Sequence, residues 1–412
     1  MAININQYPN GTVIVAGYNP IEYSLDSTNV AQTNFQFVCD VYPAGATAPT
    51  RLKQPANPTN NYCVFDIQSV VKSYLGRDRW GYSDTAWNTC TNSFNNFTVK
   101  FGEEYGASSA ITVYPNLTTH SSLYAVNGSF DFFDFVNVPY KTNQLLNSTR
   151  KFLTSRSSVN VTIDEKYQLY VLNGTSGASQ AYNVVCKSYN SAGTLQQTLE
   201  FGTDQPYQTK VQRVCVGAYD LNNLTGSETR YSITTAQPFV TSSIAYYDVY
   251  ICNSSKTQIS ETKRFYVVND CNPHTTYKLI FQNKYGGYDG FKFYSASDKV
   301  TNVTRLEMKK RLGAWSGTAY QYNFTDRGRT NYSNLVQKGM HMRSDWLTES
   351  ESTWLEELLT STDVLLEDST NGAYIPVVIT SNTYNEKKYS KDGLFNIEID
   401  IEYSVNSISQ TW

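Results

Sequence analysis

Apolar and polar positions alternate in short runs along most of this chain, which is the pattern of half-buried strands. In FQFVCDVY, Phe35, Phe37 and Cys39 share one face. NNFTVKFGEEYG and SAITVYPNL repeat the alternation, and GSFDFFDFVNVPY reads as a last apolar run before a change of domain. Further on, NVTIDEKYQLYVLNG, AYNVVCKSYNSAG, VQRVCVGAYDLNN, AYYDVYICNSS and ETKRFYVVND are strand-like runs separated by turn residues. Near the end, Phe395, Ile397, Ile399 and Ile401 alternate strictly. APTRLKQPANPTNN, rich in Pro and Asn, reads as a loop.

Helical periodicity stands out in two places. Around 66–75, Ile67, Val70, Val71, Tyr74 and Leu75 recur at helical spacing, with Asp66 as N-cap and Gly76 as the stop. Around 350–360, Thr348 and Glu351 fit a capping box, and Trp354, Leu355, Leu358 and Leu359 form the apolar stripe. The expectation is a mainly β chain of tandem β-sandwich-like domains with a C-terminal α+β domain. Three segments are expected: a β-domain with one inserted helix over 1–140, an immunoglobulin-like β-sandwich over 141–270, and the α+β domain over 275–412, which would make subunit contacts.

Composition sharpens this picture. At 412 residues the chain is long for one core. Charged residues make up 17% and the net charge is −3, so no electrostatic footprint for nucleic acid appears. The start lacks the basic and apolar regions of a signal peptide, and no stretch approaches the length of a membrane span. Seven scattered cysteines without a CxxC argue against a zinc ribbon or a disulfide framework. They fit buried free thiols in a chain folded in a reducing compartment.

Candidate chemistry is sparse. In NKYGGYDGFKFY, Gly286, Gly287 and Gly290 follow one strand pattern and precede another, with no GK[ST] and no helix to open. A tight β-turn is expected there, not a phosphate loop. His120, His274 and His341 lie far apart, without a metal-ligand spacing. Glu103 with Glu104, and Asp131 with Asp134, are the only carboxylate pairs worth weighing for a glycan hydrolase. The plainer reading is that the glutamates flank a turn and the aspartates face solvent on an edge strand. No enzyme, cofactor or metal is expected.

Charge is more informative. Arg305, Lys309, Lys310 and Arg311, followed by Arg327 and Arg329, contrast with Glu349, Glu351, Glu356, Glu357, Glu367 and Asp368. These are either two solvated faces or complementary faces that meet between copies in a ring. Trp315, Tyr320, Tyr322 and Trp412 are the aromatic anchors expected at such an interface.

Four stretches, FDIQSVVKSYL, FTVKFGEEYG, YKLIFQNKYGGYDGFKF and YIPVVITSNTYNEKKYSKDGLFNIEIDIEYS, resemble tail-associated structural proteins of phages infecting Bacteroidetes, including the crAss-like phages. The likeness is spread over most of the chain and strongest in 275–412. It implies a virion component, folded in the host bacterial cytoplasm and present in several copies around the portal, collar or tail. Its partners would be copies of itself and other portal or tail proteins. It carries no catalytic residue. An adhesin or receptor-binding protein that contacts host glycans through Tyr and Trp faces is the alternative.

Overall fold

The computed structural model describes residues 3–9, 14–84, 86–137, 151–172, 182–203, 211–224, 238–253, 255–268, 274–381, 396–405 and 407–411. The fold is mainly β and built of several sheets, as the alternation requires. It divides into two compact units, one of Met1–Asp270 and Gln282–Asp289, the other of Cys271–Phe281 and Gly290–Trp412. The segments 1–140 and 141–270 therefore share one unit. A strand of the former, Trp87–Cys90, pairs with Val211–Cys215 of the latter.

In the first unit, one three-stranded sheet runs in the order Ile3–Gln7, Glu22–Ser27, Cys63–Asp66. A five-stranded sheet runs in the order Ile14–Ala16, Ala110–Val126, Phe94–Ala107, Gln36–Pro43, Thr50–Gln54. Tyr23, Leu25 and Phe65 from the former pack with Phe37, Val41, Phe97, Val99 and Phe101 from the latter in one apolar cluster. Leu, Phe and Val at alternate positions supply this core, because every second side chain of a strand faces inward.

The same unit holds a second pair of sheets. Gln168–Leu172, Val211–Cys215 and Trp87–Cys90 form one. Ser158–Val161, Lys263–Val267, Tyr246–Asn253, Tyr182–Tyr189 and Leu195–Thr203 form the other. Buried Tyr247 stacks on Phe265 at 4.9 Å and donates its hydroxyl to the carbonyl of Val216 at 2.8 Å. A buried phenol with its hydroxyl satisfied adds packing area without leaving an orphaned donor.

Two expectations for this unit need correction. The proline-rich loop contains the edge strand Thr50–Gln54, paired with Gln36–Pro43. Its Arg51 reaches the buried Asp40 through two bonds of 2.7 Å, and Lys53 reaches Glu104 at 2.6 Å. The helix expected over 66–75 spans only Gln68–Lys72, with Ile67 rather than Asp66 at the cap position. Asp66 still belongs to a strand, and its carboxylate accepts the backbone N–H of Gln68 at 2.9 Å. After Lys72 the N–H groups of Ser73, Tyr74 and Leu75 bond three residues back, which tightens the chain toward its exit.

The apolar run GSFDFFDFVNVPY is also not a strand where it is described. It forms the short helix Phe132–Asn137, with the Asp131 carboxylate accepting the N–H of Asp134 at 2.8 Å. Six cysteines (Cys39, Cys63, Cys90, Cys186, Cys215 and Cys252) are buried free thiols. Burial pushes the Cys63 thiol up to about 12. Cys271 lies outside the described residues.

Among the described residues the second unit consists of one large sheet, a small two-stranded hairpin and one helix. The eight strands of the large sheet run in the order Tyr288–Phe293, Tyr277–Gln282, Val364–Asp368, Ala373–Ile379, Glu398–Tyr403, Arg329–Arg343, Asp298–Lys309, with Ser407–Thr411 also on Arg329–Arg343. The helix Glu349–Thr360 buries Trp354, Leu355 and Leu358 against Phe281, Phe291, Met340, Met342, Ile399 and Ile401. Its expected capping box is present, with Thr348 accepting the Glu351 N–H and Glu351 accepting the Thr348 N–H. Such a cap contributes about 0.5–2 kcal/mol to a helix that starts at a strand exit.

The glycine-rich stretch is a turn. Gly286 has φ +86, and its N–H bonds the Asn283 carbonyl at 3.1 Å. The Asn283 side chain accepts the N–H of Tyr285 and of Gly287 and donates to the Leu153 carbonyl at 2.7 Å. A Cβ at Gly286 would collide with the Asn127 carbonyl, so the backbone approach itself requires glycine.

Candidate functional site

The strands Asp298–Lys309 and Arg329–Arg343 pair over a register from Asp298 opposite His341 to Lys309 opposite Arg329. Twelve residues of strand reach about 40 Å, at ~3.4 Å per residue. At its root this ribbon is flanked by Glu398–Tyr403, and further out by Ser407–Thr411, which ends opposite Ser333. Beyond Ser333 the pair continues as a two-stranded arm. Every residue of Asp298–Lys309 is exposed.

The ribbon as a whole, from its three-stranded root to the arm, is apolar on both sides and cationic. Val300, Leu306 and Met308 leave one face and Val303 the other, all more than a third exposed. Between residues 298 and 343 there are nine Lys or Arg against three Asp or Glu, in a chain whose net charge is −3. Between 344 and 368 the balance inverts to eight acidic residues and no basic one. The segregation seen in the sequence is thus carried by separate elements, the arm and the helix with its flanks.

At the end of the arm the chain folds back as a small hairpin, Ala314–Trp315 with Tyr320–Gln321. Gly313 and Gly317 take positive φ there. Arg311 lies over the Tyr320 ring at 5.1 Å, Tyr322 meets Tyr320 edge-on at 5.2 Å, and the Tyr320 hydroxyl donates to the Leu312 carbonyl. These contacts fix the tip while leaving its largest rings in water. Trp315 is 66% exposed, Tyr322 73%, and Phe324 fully.

The structure therefore gathers Arg311, Trp315, Tyr320 and Tyr322 at the tip. Arg305, Lys309 and Lys310 follow down the ribbon, where Arg329 pairs with Glu307. Glu356 and Glu357 belong to the helix and not to this cluster, with Glu356 exposed. Trp412 lies outside the described residues. Leu312, Phe324 and Trp346 also belong to the exposed apolar surface of this unit. A single aromatic in a loop has no periodicity to announce it, so the sequence reading passed over them.

The carboxylate candidates are placed by other duties. Glu103 and Glu104 lie inside the strand Phe94–Ala107, not beside a turn. Buried Glu103 accepts from Ser27 at 2.8 Å and from Asn29 at 2.5 Å, while Glu104 holds Lys53. As strand neighbours they leave on opposite faces and do not converge on one ligand. Asp131 caps the helix Phe132–Asn137, and Asp134 pairs with Lys284 at 2.9 Å. His120 meets the Tyr23 hydroxyl at 2.7 Å, and His341 meets Asp400 at 2.7 Å. Buried Lys263 donates to the Arg156 carbonyl at 2.5 Å, and burial lowers its pKa against the pull of Glu261 and Asp289. No group of three His, Cys, Asp or Glu side chains able to hold a metal occurs among the described residues. No helix among them is long and apolar enough to cross a membrane.

A second aromatic surface lies on the five-stranded sheet of the first unit. Tyr266, Tyr246, Tyr189 and Leu195 form one cross-strand row. Tyr189 and Tyr246 are stacked at 4.9 Å, and Arg264 lies over Tyr246 at 4.2 Å while binding Asp248 at 2.8 and 2.9 Å. Ring faces are what a sugar would stack on; here Tyr189 and Tyr246 cover each other, while Tyr266 is exposed.

Comparison with known proteins adds little to this geometry. No protein-family model matches the chain, and no curated protein matches it. Among solved structures, trypsin-activated alpha-2-macroglobulin from Escherichia coli is similar at a TM-score of 0.18 and 8% identity, over 85% of this chain and 20% of that one. Dimeric latent PorU from Porphyromonas gingivalis is similar at a TM-score of 0.16 and 8% identity, over 83% of this chain and 32% of that one. The chain thus spans a fifth to a third of the length of these neighbours, and likeness at that level supports no functional argument.

Proposed function

We propose that this chain is a non-enzymatic structural subunit that assembles in several copies, as a ring or adaptor component of the portal-proximal collar or tail of a phage virion. The observation that supports assembly is the arm. A two-stranded ribbon in water is marginal at best, and this one, beyond Ser333, carries exposed Met308 and three large rings at its tip. Such a surface gains most by being covered, and aromatic residues beside arginine are the usual anchors of protein contacts. The strong cationic balance of the arm and the acidic balance of the following segment favour a copy of the same chain as partner, since one chain supplies both halves. The virion setting rests on the sequence resemblance, and assembly in the bacterial cytoplasm agrees with buried free thiols. The glycan-binding alternative is not favoured by Tyr189 and Tyr246, which stack on each other with Arg264 over the latter.

The test is to reverse Lys309, Lys310 and Arg311 to Glu. The variant is expected to stay folded, because all three side chains are exposed. It should fail to enter particles, and a second reversal of Glu356 and Glu357 to Lys should partly restore incorporation. Normal assembly into infectious particles by the triple variant would show that the charge contrast is a solvated surface.

A further inference from the structure

A groove of about 580 Å³ opens at the root of the arm, within the second unit. Apolar Val300, Ile375, Pro376, Tyr403 and Val405 line it together with Lys299 and Lys338. Both lysines are exposed, and neither makes an ion pair with a described residue. The volume lies in the range of about 300–1,000 Å³ that accommodates a side chain or small ligand of drug size. An apolar slot with two unpaired ammonium groups suits an aromatic group flanked by carboxylates.

The same unit presents such a group elsewhere. Trp346 is 65% exposed, although Leu347 beside it is buried. Its backbone N–H bonds the Asp345 carboxylate at 2.8 Å, which fixes the turn, and Asp345 and Glu349 are exposed on either side of it in sequence. Trp346 lies three residues beyond the end of the strand Arg329–Arg343 and is not among the residues lining the groove. The arm tip is the competing aromatic occupant, but it carries Lys310, Arg311 and Arg327 and would bring like charge to the two lysines.

We infer that the groove at the root of the arm receives the Asp345–Trp346–Glu349 corner of a second copy, with the indole on the apolar lining and the carboxylates at Lys299 and Lys338. This rests on the assembly reading above and deepens it. The two surfaces are different patches of one protomer, so the contact is heterologous and propagates into a ring or a filament instead of closing as a dimer.

Sedimentation velocity tests this on five samples besides the wild type. They are a groove variant (Lys299→Glu with Lys338→Glu), a corner variant (Asp345→Lys with Glu349→Lys), their equimolar mixture, Trp346→Ala, and a tip variant (Trp315→Ala with Tyr322→Ala). The substituted side chains are exposed, and thermal melts check that folding is retained. Each charge variant alone, and Trp346→Ala, should dissociate at concentrations at least tenfold higher than wild type. The mixture should return to wild-type behaviour, because each groove then meets a corner of opposite charge. Oligomers that persist in the groove, corner and Trp346 variants but dissociate in the tip variant would overturn this contact and leave the assembly reading standing. Variants that dissociate but do not reassemble when mixed would overturn it too. A wild-type chain that is monomeric at every concentration would remove the assembly reading, and this contact with it.

Discussion

Tyr246 and Trp315 both stand on exposed β surfaces beside an arginine, yet their surroundings differ. Tyr246 has Tyr189 stacked at 4.9 Å on one side and Arg264 at 4.2 Å, and that arginine is held in turn by Asp248. Trp315 is 66% exposed, and the nearby Arg311 is committed to a different ring, Tyr320. Around Tyr246, rings and charges form a closed set and satisfy one another inside the first unit. The second is held in shape by its own contacts while its largest apolar area stays in water. Exposed aromatic content therefore says little about binding until one asks which ring faces are already covered.

The strongest way to break this comparison is at the tip. Replacing Trp315, Tyr322 and Phe324 together by Ala should weaken assembly by more than about 100-fold, since buried interface aromatics commonly contribute ~2 kcal/mol or more each. The melting temperature should hardly move, because none of the three supports the core. Light scattering across a dilution series would read the effect, and unchanged assembly would put the tip in the same class as the tyrosine row.

The converse change is Tyr246→Ala. Here a loss of ~1–3 kcal/mol of stability is expected, from a half-buried ring and its arginine contact, with no effect on assembly. Denaturant unfolding followed in the first unit measures it, and an assembly defect in a fully folded variant would contradict the closed-set description. A smaller effect should separate the two surfaces by salt. Raising ionic strength from about 0.15 to 1 M shortens the screening length from ~8 to ~3 Å. Assembly should weaken roughly tenfold, whereas the bidentate Arg264–Asp248 pair, with a carboxylate only 12% exposed, should change stability little.

The least effect is expected from thiol reagents on the native chain. Cys186 and Cys215 are buried and burial raises their pKa, so neither should react at pH 8 on the timescale of a free thiol. Denaturation without reductant should expose nearly all seven. Recovery of a single reactive thiol would instead indicate disulfides and a different folding compartment.

The sequence was most legible where one face of an element is apolar. Ile397, Ile399 and Ile401 alternate and are buried, and the Thr348–Glu351 box with Trp354, Leu355 and Leu358 gives the long helix almost to the residue. It was least legible where ions take the place of apolar residues. Thr50–Gln54 reads as a loop because only Leu52 of the strand packs on the apolar cluster, while Arg51 and Lys53 on its other face are exposed and pair with buried Asp40 and Glu104. The short helix Gln68–Lys72 was over-extended for the opposite reason. Tyr74 and Leu75 sit at helical spacing but follow tightened turns that lead to the Gly76–Asn92 bond. For the candidate site, charge segregation could be read from residue types alone. That the basic stretch stands out as an arm could not, because a strand exposed on both faces and one exposed on a single polar face differ only in what lies across from them.

The turn Gln282–Asp289 has a consequence for how this gene can be cut and recombined. The chain leaves the first unit at Asp270, enters the second, returns for these eight residues, and resumes the second at Gly290. A truncation at 270 removes Asn283, the donor to the Leu153 carbonyl, and Lys284, whose carbonyl accepts the Ser129 N–H. The first unit would be left with unfilled backbone partners at a site shaped to fit glycine. Neither half is a cassette that could be exchanged by one crossover, and proteolysis at a single point near 270 would nick the protein without releasing an intact half.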